Sequence, residues 1–576
     1  MVETLDKVDV VTVGVGWTGG IIAAEAAKEG LTVMGLERGV QRSVDDYQHI
    51  HDEFRYGIRY GLMQDVSKET LTFRNNRDER ALPMRQMGSF LLGSNVGGSG
   101  THWNGQHWRF LPYDFEIQSM TEERYGADKL GESDGYRWQN WGITYDELEP
   151  YFDRMDQTCG ISGEENPLGG HRSNPFPTPP MMETPILKKF KDATLGMGLH
   201  THMLPSANLS EQYTNPDGQT LSPCQYCGFC ERFACEYNAK STPETTVIPT
   251  ALETGNFEIR TNANVVEIIT DEDDDSLVSG VRFVDVRTGE EYIQPADIVA
   301  LTSYVFNNYK LLRVSDIGEQ YDPETEEGTL GRNYCYQTFG GSTGFFDDEQ
   351  FNSFMGAGAL GMALDDYNGD EFDHEDLDFL HGGNITVTQT GARPIQSNTV
   401  RPDTKAFGSE FKQETIKNYT STLSVSGQCA TSPHKDNYLD IDEDYDDVYG
   451  VPLVQLTYNF TDMDRERHRY LAERSGEILE EMGASEVVVN GDLGDYNIVP
   501  YQSTHNTGGT VMGDDPEISV VNNYLQHWDR DNLFVVGAGN FAHNSGYNPT
   551  ATVGALAYRC AEGVIEYSRD QRRLED

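Results

Sequence analysis

An apolar run, Val8 to Val13, breaks into glycines at Gly14, Gly16 and Gly19 and is followed by a small-residue stretch, Ile21 to Lys28. A second apolar run, Leu31 to Leu36, ends in Glu37. Apolar runs this short, bounded by glycine, predict buried strands, with the small-residue stretch between them forming a helix packed on both. Further along, Gly383 to Gln389 and Pro452 to Tyr458 alternate apolar and polar positions, which predicts half-buried strands of an antiparallel sheet with helices over it. Val265 to Thr270 and Val278 to Asp285 flank the acidic run Asp271 to Asp275 as strands around a hairpin tip, and Ala551 to Tyr567 predicts a long final helix. No stretch of about 18 apolar residues occurs, so no membrane-spanning helix is expected. The fold class expected is α/β: a Rossmann-like nucleotide-binding domain joined to an α+β substrate domain with an antiparallel sheet.

Glycine spacing adds chemistry to this pattern. In a strand, turn, helix, strand unit, Gly14 would make the tight turn, Gly16 would let backbone approach a pyrophosphate, and Gly19 would let helix pack on strand. Glu37 would take the ribose hydroxyls. This much fits NAD and FAD equally. A second cluster, Gly97-Gly-Ser-Gly-Thr-His-Trp-Asn-Gly105 with Arg109 after it, is too glycine-rich and aromatic for an ordinary helix or strand. It reads as a loop lying flat against a planar ligand. Four cysteines, Cys224, Cys227, Cys230 and Cys235, are spaced C-x2-C-x2-C-x4-C. Such compactness suits an iron-sulfur cluster, a structural zinc or, in an exported protein, a pair of disulfides.

The chain of 576 residues carries 43 basic against 94 acidic side chains, a formal net charge of −51. Its length allows two or more domains, and its charge excludes nucleic acid as a partner, because phosphate binding needs positive charge. The acids are spread along the chain as a hydrated surface whose self-repulsion is screened at high salt, so a halophilic source is expected. Asp366 to Asp370 and Asp440 to Asp444 alternate oxygen ligands but lack the glycine and glutamate of a calcium loop; they read as solvated loops. The first residues show no signal segment, which predicts a cytoplasmic protein. No Cys-x-x-Cys-His motif for haem occurs, so electrons leaving the chain need an external acceptor.

The first fingerprint, the Gly97 to Gly105 loop, Trp141-Gly-Ile-Thr-Tyr-Asp-Glu-Leu-Glu-Pro-Tyr151 and the blocks Ser503-Thr-His-Asn-Thr-Gly-Gly509 and Gly546-Tyr-Asn-Pro-Thr-Ala551 together resemble the glucose-methanol-choline (GMC) oxidoreductases over most of the chain. The cysteine stretch and Thr504 to Gly509 resemble, more narrowly, the gluconate 2-dehydrogenase branch of that family. Ala300-Leu-Thr-Ser303 and Val536-Gly-Ala-Gly539 depart from the commoner family pattern in the direction of that branch. The resemblance implies FAD, with its adenosine end at Gly14, Gly16, Gly19 and Glu37. It implies further contacts at Val265 and Gly537, and a flavin ring near Gly97, Gly98, Asn104, Gly105, Asn548 and Thr550.

An alcohol does not readily lose hydride while it keeps its hydroxyl proton, so a positioned base is needed, and imidazole has a suitable pKa. By resemblance that base is His505, and Asn548 hydrogen-bonds the same oxygen, although a core histidine or a helix-capping asparagine met alone is more often structural. His102, His107 and His543 read as aromatic or polar lining. The expected reaction is FAD-dependent oxidation of a secondary alcohol of a sugar acid, sugar or polyol, gluconate giving a keto-gluconate being favoured. Electrons then pass through a three-iron or four-iron cluster at the cysteines, Cys224 being the spectator in the three-iron case. The resemblance also implies a small subunit and a cytochrome or other electron acceptor, with co-export beside a signal-bearing subunit as the alternative to the cytoplasm. A sugar oxidase with zinc at the cysteines and a non-catalytic electron-transfer subunit are the other readings. The FAD domain is expected to comprise residues 1–115, 205–312 and 496–576, and the substrate domain residues 116–204 and 313–495.

Overall fold

The computed structural model describes residues 2–42, 46, 64–88, 90–230, 232–391, 395 and 397–574; Glu231 of the cysteine stretch lies outside them. The strands Val8–Val13 and Val33–Glu37 pair in parallel, Val10 beside Val33 and Val13 beside Leu36, and Phe257–Thr261 continues the parallel sheet. Between the first two strands runs the helix Trp17–Lys28, packed on the sheet and against the final helix Thr550–Asp570. Its glycines and alanines are small enough to be buried along nearly its whole length, which is why it shows little amphipathic pattern.

Beside Val8–Val13 lies the longest strand, Glu291–Leu301, which changes partners along its length. Its first half pairs antiparallel with Val278–Asp285, itself antiparallel to Ala263–Thr270. Its second half, from Ala296, pairs parallel with Val8–Val13 and with Leu533–Val535. Residues 271–277 form the hairpin turn, where the Asp271 carboxylate accepts the backbone N–H of Asp273 at 2.9 Å.

A second sheet is antiparallel throughout. Its order is Glu486–Asn490, Thr338–Phe345, Thr422–Cys429, Gly383–Thr390, Gly356–Leu364 and Thr201–Met203. The helices Asp462–Glu481 and Pro185–Gly196 pack on it, and Leu423, Val425 and Ile385 join Leu471, Ile478 and Leu479 in one core cluster. The alternate positions Thr386, Thr388, Ser424 and Ser426 face a cavity.

Pro452–Thr457 does not belong to this sheet. It pairs antiparallel with Tyr438–Asp446 and parallel with Leu71–Arg74 in a separate four-stranded sheet. Alternation sets which face of a strand is buried, not which strand it pairs with. Asp440 to Asp444 is likewise no loop but part of the strand Tyr438–Asp446, with Asp442 buried. Among the described residues no helix is long and apolar enough to cross a membrane.

Candidate active site

A cavity of about 760 Å³ lies between the two sheets. Its wall carries Gly14, Gly16, Glu37 and Val265 together with Gly97, Gly98, Asn104, Gly537, Asn548, Thr550 and His505. Gly19 and Gly105 are not on the wall. Gly19 serves packing: a Cβ there would come within 2.1 Å of the Gly14 carbonyl oxygen. Gly105 takes a positive φ of 98° behind the loop, beside Asn208.

The glycine end is built for an anion. The helix Trp17–Lys28 starts at Gly16 with no side-chain cap and no acid in its first turn, so its free N–H groups are available to a phosphate. Gly14 and Gly97 adopt φ values of 98° and 96°, which side chains rarely allow. Glu37, at the end of its strand, accepts the N–H groups of Val15 at 3.1 Å and Gly39 at 2.8 Å, while burial raises its pKa. Sequence reasoning missed the charges beside it. Arg38 and Lys310 both line the cavity and both pair with Glu69, Lys310 reaching Asp447 at 2.7 Å as well. They come from distant segments with no shared motif.

At the other end a two-residue bridge sets the geometry. Asn506 pairs with Tyr336 and Thr507 with Cys335, which brings His505 opposite Gln337. Ser503 reinforces the bridge, its N–H donating to the Tyr336 hydroxyl and its Oγ to the Gln337 carbonyl, at 2.7 and 3.0 Å. His505 Nδ1 bonds Gln337 Oε1, and His505 Nε2 accepts from Asn548 Nδ2 at 3.1 Å. Enclosure alone draws the His505 pKa down to about 3, so the ring is neutral near pH 7. Asn548 Oδ1 and His102 Nδ1, on two residues of the cavity wall, are buried without protein partners. Unsatisfied polar atoms of this kind fit a bound polar group, and the donor set around the cavity fits a dinucleotide.

The expected lining histidines divide. His102 is on the wall, but His107 lies behind it, 3.0 Å from Asp156, and His543 is fully buried with Asp114 and His381. Arg109 is a buried ion-pair residue, bonded to Asp156 and Glu149. Asp114 Oδ1 accepts from His381 Nε2 at 2.8 Å and His543 Nε2 at 3.3 Å. Among the described residues this is the group of three whose ligand atoms lie within 4.8 Å of one another. It is a poor metal site. His381 Nδ1 already accepts the Gly382 N–H, and His543 Nδ1 the Trp141 indole N–H. An imidazole binding metal through Nε2 keeps its proton on Nδ1, which here would meet another donor.

The four cysteines are not on the cavity wall, yet their loop is tied to it. Lys240 is buried and donates to the carbonyls of Cys230 at 3.2 Å and Phe233 at 2.8 Å, and to that of Trp103 at 2.7 Å in the glycine loop. Asn208 donates weakly to Cys230 Sγ at 3.9 Å. Arg232, between Cys230 and Cys235, bonds the His102 carbonyl through its N–H at 2.7 Å. Its guanidinium lies on the cavity wall, 3.6 Å over the ring of Tyr501. Among the described residues no three cysteine sulfurs form a group within 4.8 Å of one another. Tetrahedral zinc with bonds of about 2.3 Å would hold them about 3.8 Å apart.

Comparison with known proteins agrees with this architecture. Two family models described as GMC oxidoreductase match residues 182–339 and 433–557. The gluconate 2-dehydrogenase flavoprotein of Pantoea cypripedii is 37% identical, the match covering 98% of this chain and 94% of that protein. The fructose dehydrogenase large subunit of Gluconobacter japonicus is 23% identical over 98% of both. The crystal structure of pyridoxine 4-oxidase from Mesorbium loti shares the fold with a TM-score of 0.62 at 19% identity, covering 96% of this chain and 99% of that one. The chain therefore belongs to the GMC oxidoreductase family and is an FAD-dependent oxidoreductase acting on CH–OH groups.

Proposed function

We propose that the chain oxidises a secondary alcohol of a sugar acid, sugar or polyol, a gluconate-type sugar acid being the favoured substrate. The observation that carries this reading is the pair His505 Nε2 and Asn548 Nδ2, 3.1 Å apart on the cavity wall. The same cavity is lined by the hydroxyls of Thr386, Thr388, Ser424 and Ser426 from the antiparallel sheet. In this reading the first sheet and its loops, residues 1–115, 205–312 and 496–576, hold FAD, while residues 116–204 and 313–495 form the substrate side.

Bound FAD would supply the hydride acceptor. His505 Nε2 takes the hydroxyl proton, and Asn548 Nδ2 donates to the same oxygen and fixes its position. The hydroxyl-bearing strands suit a polyhydroxylated substrate. Arg232 adds a cation that suits a carboxylate, through charge-assisted hydrogen bonds.

An iron-sulfur cluster at Cys224, Cys227, Cys230 and Cys235, three-iron with Cys224 as spectator or four-iron, would supply single-electron transfer. Its support is the spacing, the Lys240 tie to the glycine loop and the chemistry of the thiols. Burial raises the Cys224 pKa to about 11, so that thiol gives up its proton only to a bound cation. An external acceptor follows, a small subunit and a cytochrome, in keeping with the large-subunit name of the fructose dehydrogenase relative. The cytoplasm is the compartment proposed, and co-export with a signal-bearing subunit the alternative. The charge of −51 supports a working environment of high salt.

Anaerobic addition of sugar acids, sugars and polyols to the FAD-loaded protein in high salt tests this reading. Bleaching of the flavin absorbance, strongest with gluconate, is expected. Absence of bleaching across the panel contradicts it.

A further inference from the structure

His505 offers two ring nitrogens, and only one arrangement of its proton leaves the cavity-facing one able to act as a base. We propose that Gln337 is the positioning residue that fixes this arrangement, holding the His505 proton on Nδ1 and leaving Nε2 unprotonated on the cavity side, where its lone pair accepts from Asn548 Nδ2 until a substrate hydroxyl takes that place. The inference rests on the reading of His505 as the base.

Gln337 is fully buried and absent from the cavity wall, so it does not meet substrate. Its amide is locked by four hydrogen bonds. Gln337 Nε2 donates to the backbone carbonyls of Ser545 at 2.5 Å and Tyr547 at 3.2 Å. Gln337 Oε1 accepts from Gln428 Nε2 at 2.8 Å and faces His505 Nδ1. Turning the amide over would set its N–H groups against the Gln428 N–H groups and its oxygen against two carbonyls. With Oε1 fixed as an acceptor, a neutral His505 satisfies it only by carrying its proton on Nδ1. Asn548 Nδ2, 3.1 Å from Nε2, is a donor and selects the same tautomer from the other side.

The two carbonyls that hold Gln337 belong to Ser545 and Tyr547, immediately before Asn548. One amide thus references both members of the pair to each other. Among the described residues no carboxylate pairs with the imidazole, and burial is what lowers its pKa. The titratable neighbours on the packed elements are phenols, Tyr304 bonding the Thr504 carbonyl and Tyr336 the Ser503 carbonyl.

The test is a double-mutant cycle read by anaerobic flavin reduction, with FAD content and melting followed in parallel. Gln337→Leu removes the acceptor at similar volume. It is expected to slow flavin reduction by roughly 10- to 100-fold in the otherwise wild-type protein. In a His505→Ala background the same change should matter by less than about 2-fold. Gln337→Glu, as a neutral acid in this carbonyl-lined site, keeps an acceptor for Nδ1 and should restore most of the rate. A merely structural role predicts equal losses in both backgrounds and no rescue by glutamate, and that result overturns the proposal. Should Gln337→Leu fail to fold, nitrogen NMR of 15N-histidine in the wild-type holoenzyme decides: Nδ1 of His505 protonated supports the proposal, Nε2 protonated overturns it. His505→Ala reducing flavin at the wild-type rate would instead remove the base assignment itself.

Discussion

His505 and His543 flank the same C-terminal segment, yet they are wired in opposite senses. His505 puts its proton on the protein side, toward Gln337, and leaves Nε2 facing a cavity. His543, with His381, receives N–H groups at Nδ1 and presents Nε2–H to Asp114, and neither lies on the wall of that cavity. Asp114 also accepts the Leu111 N–H at 2.8 Å and the Ser545 hydroxyl at 3.0 Å, and against its burial the imidazoles of His381 and then His543 hold its pKa far below the usual carboxylate range. Which ring nitrogen is already used decides what a buried histidine can do. One cluster is wired to take a proton from a guest, the other to hold the chain that carries Asn548.

Removing the centre of the second cluster is the most damaging test of that contrast. Asp114→Ala leaves two imidazole donors buried without their acceptor and is expected to cost about 3–5 kcal/mol of stability, read from the denaturant midpoint. Unchanged stability with abolished flavin reduction would exchange the roles of the two clusters.

Acid sharpens the comparison next. His102, His202 and His505 are held at about 4, 4 and 3 by burial, below the ordinary 6.5. Below pH 6.5 the unfolded chain takes up protons that the folded one refuses, so stability falls as pH drops. His527, drawn down to about 4 by burial, adds to this loss, while Asp365, raised by burial to about 6, works against it. At constant high salt, stability is expected to fall by several kcal/mol from pH 7.5 to 5, each buried imidazole contributing about 1.4 kcal/mol per pKa unit. A flat profile there contradicts neutral, enclosed imidazoles.

The smallest effect belongs to the hydrogen-bond donor. Asn548→Ala should retain FAD and slow flavin reduction by about 10-fold, near the worth of one hydrogen bond to the reacting oxygen. A loss as great as that of the base would mean that Asn548 does more than position.

Local signals were readable in the sequence and non-local ones were not. Gly14, Gly16 and Glu37 stand in one strand-turn-helix-strand unit, so their spacing alone predicts that they lie together, and all three line the cavity. His505 and Asn548 carry short motifs, and the structure brings them to 3.1 Å. Gln337 has no motif; its place follows from a two-residue bridge between segments 168 positions apart. Lys240 likewise is an ordinary lysine in sequence, and only folding shows it buried between the cysteine loop and Trp103. Pro452–Thr457 alternates as a strand should, but partner choice is a property of the assembled sheet, and it joined another one. Asp440 to Asp444, read from charge as a loop, is held in a strand by its backbone ladder, which composition does not report.

His505 Nε2 is the proton acceptor on which the proposed reaction depends. Anaerobic stopped-flow reduction of the FAD-loaded His505→Ala protein, beside the wild type and with the same saturating alcohol, tests this most directly. The account predicts full FAD content and a reduction rate at least about 100-fold lower. Reduction at the wild-type rate, with FAD bound, would contradict it.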